Sequence, residues 1–481
     1  MVFTNETIMH GCTMENKYRL LAKNTIIFTL GNIGSKIIAF LLVPLYTHYL
    51  TTSEYGIADL VFTYAQVLVP VLSLMITSGI FRFGLSKEYN RDSVLLSGIT
   101  IAIPGMLLMP LISVVLTFNK TIGPWVWYLC AYVVLQIVSS IELCYLKVKE
   151  KNKTFSAICV LQTFLIALFN IAYIVKLHYG IRGYLLSSIL STFVVCCLCF
   201  ILGGIYNDIK KYKYDKKLSK LMIVYSAPLI ANELSWWIIH SCDKLMINDM
   251  IGDEALGLYS ISARIPAFIT VLVSIFSAAW GISTIKEYEE TKEVLFYESV
   301  FKAYSFVNFL ASMLLISITY PFMKVYVSDA FFKAWEYVPF LICSTVYASF
   351  SNFYGSLYSA IKKSVNCMYS SLISAIINVV LNYFLILWIG IWGAVISSAI
   401  ACLIATVIRI RFIRNNMGVR VNKFFYINNI ILVAETICVS LVSFPLQLVC
   451  SVILLFAFCL INYPYIKSLF SLVKLKFHKL T

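Results

Sequence analysis

The stretch Val224–Pro266, VYSAPLIANELSWWIIHSCDKLMINDMIGDEALGLYSISARIP, decides how the chain is read. Its first part predicts a long apolar helix carrying Glu233, His240, Asp243 and Lys244. A turn follows at Gly252, and a second apolar run past Gly257 carries Arg264. On a period of 3.6, Glu233, Trp236, Trp237, His240 and Lys244 share one face. Ionisable groups are costly in hydrocarbon and default to a protein interior or a water-filled path. The stripe reads as the wall of a cavity inside a membrane-embedded chain.

Composition agrees. The chain is 60% hydrophobic and 13% charged, which excludes an ordinary soluble globule. A bilayer core of ~30 Å takes about 20 helical residues to cross, and apolar runs of that length follow one another almost end to end. The longest polar stretch, Gly203–Lys220, is too short for a soluble domain. Most of the 14 cysteines lie inside apolar runs, as with Cys196, Cys197 and Cys199, and none pairs with His at zinc spacing. They read as small buried hydrophobes. Lys17, Arg19 and Lys23 precede the first span with no small-residue cleavage site, so that span is expected to be an uncleaved anchor.

Fourteen spans are expected. The first six lie at about 24–46, 57–80, 93–117, 124–146, 154–176 and 181–202. The next six lie at about 221–247, 255–284, 297–320, 334–360, 366–388 and 390–412, and the last two at 424–445 and 448–467. With the N-terminus inside, 29 of the 38 Lys and Arg residues fall on the cytoplasmic side and five on the other. That bias sets the orientation and puts both termini in the cytoplasm. The formal charge of +15 is thereby a topology signal with some attraction to anionic lipid, and no nucleic-acid partner is expected.

Two short patterns recur. Glu54-Tyr-Gly56 returns as Glu254-Ala-Leu-Gly257, and Gly180-Ile-Arg-Gly183 with Ser187-Ser188 returns as Gly390-Ile-Trp-Gly393 with Ser397-Ser398. The glycine offsets are 201 and 210 residues, at topologically equivalent places. The fold class is therefore all-α: a polytopic helical membrane protein with two pseudo-symmetric six-helix lobes in parallel repeat. The expected divisions are 1–220 for the first lobe, 221–423 for the second, and 424–481 for two further helices and a basic tail.

Lys36 sits mid-span, with Thr25, Thr29 and Asn32 on its face. Arg264 falls about ten residues into its span, near the midplane, where a guanidinium needs a partner or an anionic ligand. Lys244 has Asp243 beside it as a local partner, and Arg82 ends the second span in Phe-Arg-Phe-Gly. Glu233 is the leading protonatable or cation-coupled group. Glu435 lies midway along span 13 without an evident role, and Lys302 follows Glu298 at the spacing of a helical ion pair. No Walker P-loop, paired-Asp metal motif or GxSxG elbow is present, so neither an ATP motor nor a familiar hydrolase is encoded. No metal, cofactor or catalytic residue is expected, and the chain reads as a non-enzyme.

Leu41-Leu-Val-Pro-Leu-Tyr-Thr47, Ser53-Glu-Tyr-Gly56, Gly79-Ile-Phe-Arg82, Tyr225-Ser-Ala-Pro228, Asp243-Lys244 and Gly257-Leu-Tyr259 together carry a resemblance. In their order and spacing the chain resembles the lipid-linked oligosaccharide flippases of bacterial polysaccharide export (Wzx-type). These share a superfamily with multidrug exporters of the MATE type. The resemblance implies a monomer in the bacterial cytoplasmic (inner) membrane. It would pass undecaprenyl-diphosphate-linked oligosaccharide to the outer leaflet by alternating access, for O-antigen, lipopolysaccharide or capsule assembly. A polysaccharide polymerase and a chain-length regulator are the implied partners, besides membrane lipid. It also implies a cationic cavity, for which Lys36, Arg82, Lys244 and Arg264 are the candidates. Asn32, Glu233, Trp237, His240 and Asp243 would line it or couple it to an ion. The rival readings are a MATE-like exporter of amphipathic small molecules and a membrane oligosaccharide polymerase or ligase.

Overall fold

Helix starts follow from local capping chemistry. Thr51 accepts the Glu54 amide at 3.2 Å while Glu54 accepts the Thr51 amide at 3.0 Å, a reciprocal cap that satisfies two otherwise orphaned donors. Asn90 and Asn422 cap two more helices through their side chains. The computed structural model describes residues 38–86, 88–206, 208, 215–290, 293–361, 363–465 and 467. The described residues form no strand.

The helices, in chain order, are α1 Val43–Tyr49, α2 Thr52–Leu72, α3 Ile76–Gly84, α4 Arg91–Leu116, α5 Val126–Val148, α6 Asn152–Asn170 and α7 Gly180–Gly203. Then come α8 Lys216–Met250, α9 Asp253–Ser262, α10 Ala267–Glu290, α11 Val294–Tyr326 and α12 Val338–Ala360. The last four are α13 Ser364–Ile389, α14 Ile391–Met417, α15 Lys423–Leu441 and α16 Leu446–Ile461. Thirteen of the fourteen expected spans have a helical counterpart, and most of the first, at 24–46, lies outside the described residues. Among the described residues nine helices are long and apolar enough to cross a bilayer, ten if the bent pair α9–α10 is one span. Their outward faces are apolar, with Leu107, Leu111, Phe384, Trp388 and Leu441 all more than 60% exposed. So much exposed hydrocarbon is tolerable only where lipid replaces water.

By contact the chain divides into two units, Met1–Trp237 and Ile238–Thr481. The expected lobe boundary at residue 220 lies near the start of α8; the contact division falls within that helix. In the first unit α7 packs against both α5 and α6, and α5 also holds α2, α3 and α4. In the second unit α14 packs against both α12 and α13. The fourth and sixth, and the fifth and sixth, helices of each repeat are thus paired alike. Helices α15 and α16 pack on each other and on α11, outside that pattern. The protein is a multi-pass membrane protein of two pseudo-symmetric helical lobes.

The recurring glycines explain why the repeat leaves a trace in sequence. Gly180 and Gly390 both take left-handed backbone, at φ +52° and +61°, where a side chain is strained. Three residues on, a Cβ on Gly183 would lie 3.1 Å from the Tyr173 backbone, and one on Gly393 only 2.2 Å from that of Leu385. Both glycines let a helix start against the end of its predecessor.

Three expectations change. Spans 2 and 8 are each broken, the first at Leu74-Met75, between α2 and α3, and the second between α9 and α10 with a 48° bend. Arg409, counted with the cytoplasmic loop charges, is buried within α14. Its Nε and one terminal nitrogen donate to Ser370 and Ser371, at 2.9 and 2.7 Å. The other terminal nitrogen donates to the Ser351 carbonyl at 2.7 Å. Glu298 does not pair with Lys302: its carboxylate accepts the Arg420 amide at 2.7 Å, while Lys302 lies over the Tyr465 ring at 4.7 Å. Every cysteine among the described residues is unpaired.

Gly393→Ala is expected to cost about 1–3 kcal/mol, as overpacking does, and Gly183→Ala less, because its Cβ meets a wider gap. Thermal melts of the detergent-purified variants check the order; an unchanged melt for Gly393→Ala would contradict the close approach.

Candidate functional site

Asp243, on α8, is 2% exposed. A carboxylate in hydrocarbon requires compensating donors, and three helices supply them. Tyr259 on α9 donates from its hydroxyl at 2.9 Å, Asn382 on α13 from its amide, and Ser398 on α14 from its hydroxyl. A second layer fixes those donors. Asn382 also donates to Asn378 at 3.1 Å, Asn378 donates to Ser398 at 3.3 Å, and Ser397 donates to the Asn382 carbonyl oxygen. One carboxylate lies among neutral oxygens and amides. Divalent cations want several carboxylates or an octahedral cage, and among the described residues no three His, Cys, Asp or Glu gather in one place. The donor set fits a monovalent cation or a proton.

The first unit holds a polar contact of its own. There Asn170 on α6 donates to the Tyr46 hydroxyl at 2.9 Å, and Tyr46 lies against Tyr184 with centroids 4.5 Å apart. Asn170 and Asn382 both lie on the fifth helix of their repeat, about two turns or more before Gly180 and Gly390.

A separate feature belongs to the first unit. Leu74 and Met75, between α2 and α3, both have positive φ, at +50° and +52°, a conformation that costs a bulky residue of order 1–3 kcal/mol. Pro70 lacks the N–H that would reach the Gln66 carbonyl, and the Met75 amide reaches back to the Pro70 carbonyl at 2.9 Å. Gly105 of α4 accommodates the break, since a Cβ there would lie 1.9 Å from the Leu72 oxygen. Irregular backbone at membrane depth survives only inside protein or beside a water-filled cavity. Such a cavity, of 440 Å³, opens at this break. Gln66, Ser73, Thr77, Tyr132, Gln136 and Glu233 line it, and the Gln136 carbonyl oxygen is buried without a partner.

The expected site residues are therefore distributed. Glu233 reaches the first unit's cavity. Trp237 is half-buried and donates its indole N–H to the Thr63 carbonyl at 3.1 Å, tying α8 to α2. Asp243, expected as a local partner of Lys244, is engaged across helices by Tyr259, Asn382 and Ser398. Lys244 is half-buried. Arg264, expected inside a continuous span, is half-buried in the break between α9 and α10, two residues before Pro266. Arg82 is exposed in the last turn of α3. Asn32, Lys36 and the side chain of His240 lie outside the described residues. Sequence reasoning missed Asn378 and Asn382 as site residues, although two asparagines one turn apart in an apolar helix were the signal. It read Tyr259 and Ser398 as motif positions only.

Residues 21–281, more than half of the chain, match the family described as Polysaccharide biosynthesis protein. The chain belongs to that family. Residues 228–384 also match the MatE family. A curated relative, Lsg locus putative protein 1 of Haemophilus influenzae, is 22% identical over 266 residues, 53% of this chain. The match spans 64% of that relative, under two thirds of its length. Among solved structures, lipid II flippase MurJ in an inward closed conformation aligns with a TM-score of 0.69 at 14% identity, over 92% of this chain and 100% of that one. An inward-facing multidrug resistance MATE family transporter of the MOP superfamily aligns at 0.64 and 16% identity, over 81% and 94%. The likeness to these structures is one of fold.

Asp243→Asn replaces an acceptor with an amide that faces donors, and should cost about 1–3 kcal/mol and abolish function. Ser398→Ala should be milder, since two donors remain. Thermal melts and complementation of a deletion strain measure both; a fully active Asp243→Asn would remove the network from function.

Proposed function

We propose that the protein is a flippase. It carries undecaprenyl-diphosphate-linked oligosaccharide from the inner to the outer leaflet of the bacterial cytoplasmic membrane, with both termini cytoplasmic. The observation that carries this reading is the polar cavity at the broken second span. Amides from Gln66 and Gln136, a phenol from Tyr132 and hydroxyls from Ser73 and Thr77 suit sugar hydroxyls, each of which donates and accepts. Membership of the polysaccharide biosynthesis family supports that cargo class, and discontinuous helices are where transporters build their sites.

The cargo's diphosphate is prohibitive to carry through hydrocarbon unaided. Arg264, in the second broken span, and Lys244 are the cations assigned to it, with Lys36 and Arg82 as further candidates. The protein changes the side of its cargo and makes or breaks no covalent bond. Coupling is assigned to Asp243, whose single carboxylate among neutral oxygens suits a proton or a monovalent ion, in preference to Glu233, which lines the sugar cavity. The MatE match over residues 228–384 favours a second reading, export of an amphipathic small molecule.

The test locates lipid-linked oligosaccharide in a deletion strain restored with the parent, Arg264→Ala or Gln136→Ala. Accumulation on the cytoplasmic leaflet, relieved by the parent and by neither variant, is expected. Accumulation of single repeat units on the outer leaflet would place the defect after flipping and favour the polymerase. No accumulation, with altered drug sensitivity, would favour the exporter. Glu233→Gln should keep the parent's pH and ion dependence; if it abolishes that dependence, coupling moves from Asp243 to Glu233.

A further inference from the structure

The second unit holds a cavity of 640 Å³ among α12, α14 and the start of α15 that neither the cargo nor the coupling reading uses. Its lining changes character along one face of α14. Leu403 and Val407 lie at one end and Arg411 and Arg414 at the other, on a common helical face by their spacing. Hydrophobe gives way to cation within about 12 Å of helix. Arg420, just before α15, adds a third guanidinium.

Among the described residues no carboxylate side chain lines this cavity, and none of the three guanidiniums forms an ion pair. The nearby Glu298 carboxylate is taken by the Arg420 backbone amide at 2.7 Å and lines the adjoining cavity. Asn429 accepts the Tyr347 hydroxyl at 2.7 Å through its side-chain oxygen, which leaves its amide N–H groups toward the cavity. Tyr426 and Val407 remain exposed, at 56% and 37%, so the space opens sideways onto the helices' outer surface.

We propose that this cavity binds an anionic phospholipid of the host membrane. The phosphate is held by Arg411, Arg414 and Arg420, and an acyl chain lies along Val407 and Leu403. Charge complementarity selects the head group: three guanidiniums with no ion pair among the described residues favour an anion, and guanidinium forks match phosphate oxygens. The apolar half of the same face fixes the lipid. The cationic end is the one that the Lys and Arg distribution places at the cytoplasmic leaflet, where basic pockets between spans hold acidic lipids. Because α15 lies outside the repeat, the lipid joins it to the repeat helices α12 and α14. The proposal does not rest on the flippase reading.

The test is native mass spectrometry of the purified full chain with phosphatidylglycerol, phosphatidylcholine, undecaprenyl phosphate or inorganic phosphate added separately. One phosphatidylglycerol should be retained and phosphatidylcholine released. The triple variant Arg411→Gln/Arg414→Gln/Arg420→Gln should weaken retention about 100-fold. Its three side chains are exposed, so the fold should persist. Val407→Trp should weaken phosphatidylglycerol by filling the apolar half. Equal retention by parent and triple variant, or of both phospholipids, would overturn the site. Inorganic phosphate held as tightly would reduce it to a bare anion site, and preferred retention of undecaprenyl phosphate would give it to the cargo class; either overturns the phospholipid.

Discussion

Hydrocarbon offers no hydrogen bonds, and most of this structure answers to that fact. Every polar group at membrane depth must find its partner inside the protein or along a wet path. Asp243 is tolerated because three helices bring it donors from Tyr259, Asn382 and Ser398. Arg409 is tolerated because two serine hydroxyls and a carbonyl absorb its nitrogens. Its neighbour Gly355 lies close beneath it, with space for a Cβ only 3.0 Å from the guanidinium. Such networks bind helices together more specifically than apolar packing, which in lipid has no hydrophobic driving force behind it.

The same constraint makes departures from regular helix informative. A backbone break costs unpaired amides and carbonyls unless something replaces them, so a broken span survives where the break has a use. Among the described residues two spans are broken. One break carries Leu74 and Met75 at positive φ beside a polar cavity; the other carries Arg264 before Pro266.

The repeat supplies scaffold and divergence together. Gly180 and Gly390 keep a positive φ, and Gly183 and Gly393 a close approach to the preceding helix, in both units. Around that common frame the side chains have diverged. Asn170 meets a tyrosine hydroxyl in the first unit, and Asn382 meets a carboxylate in the second.

The sequence by itself determined the membrane setting, the succession of apolar helices and the twofold repeat, because hydrophobic run length and Lys/Arg placement are local signals set by bilayer thickness. It also picked out Asp243 and Glu233, since a charge in an apolar run is conspicuous without any fold. It did not separate their surroundings. One helix carries both, and a helical wheel says which face a residue occupies but not what that face meets. Only the tertiary structure decided that Glu233 opens on a polar cavity while Asp243 is sealed among amides and hydroxyls. It also decided that Arg409 is buried within α14, and that Arg411, Arg414 and Arg420 line one cavity. Two of the three partners of Asp243, Asn382 and Ser398, lie more than a hundred residues away, on helices whose own sequences look merely apolar with a few small polar residues. Long-range partners are chosen by packing, and packing is not written in the spacing of any one segment.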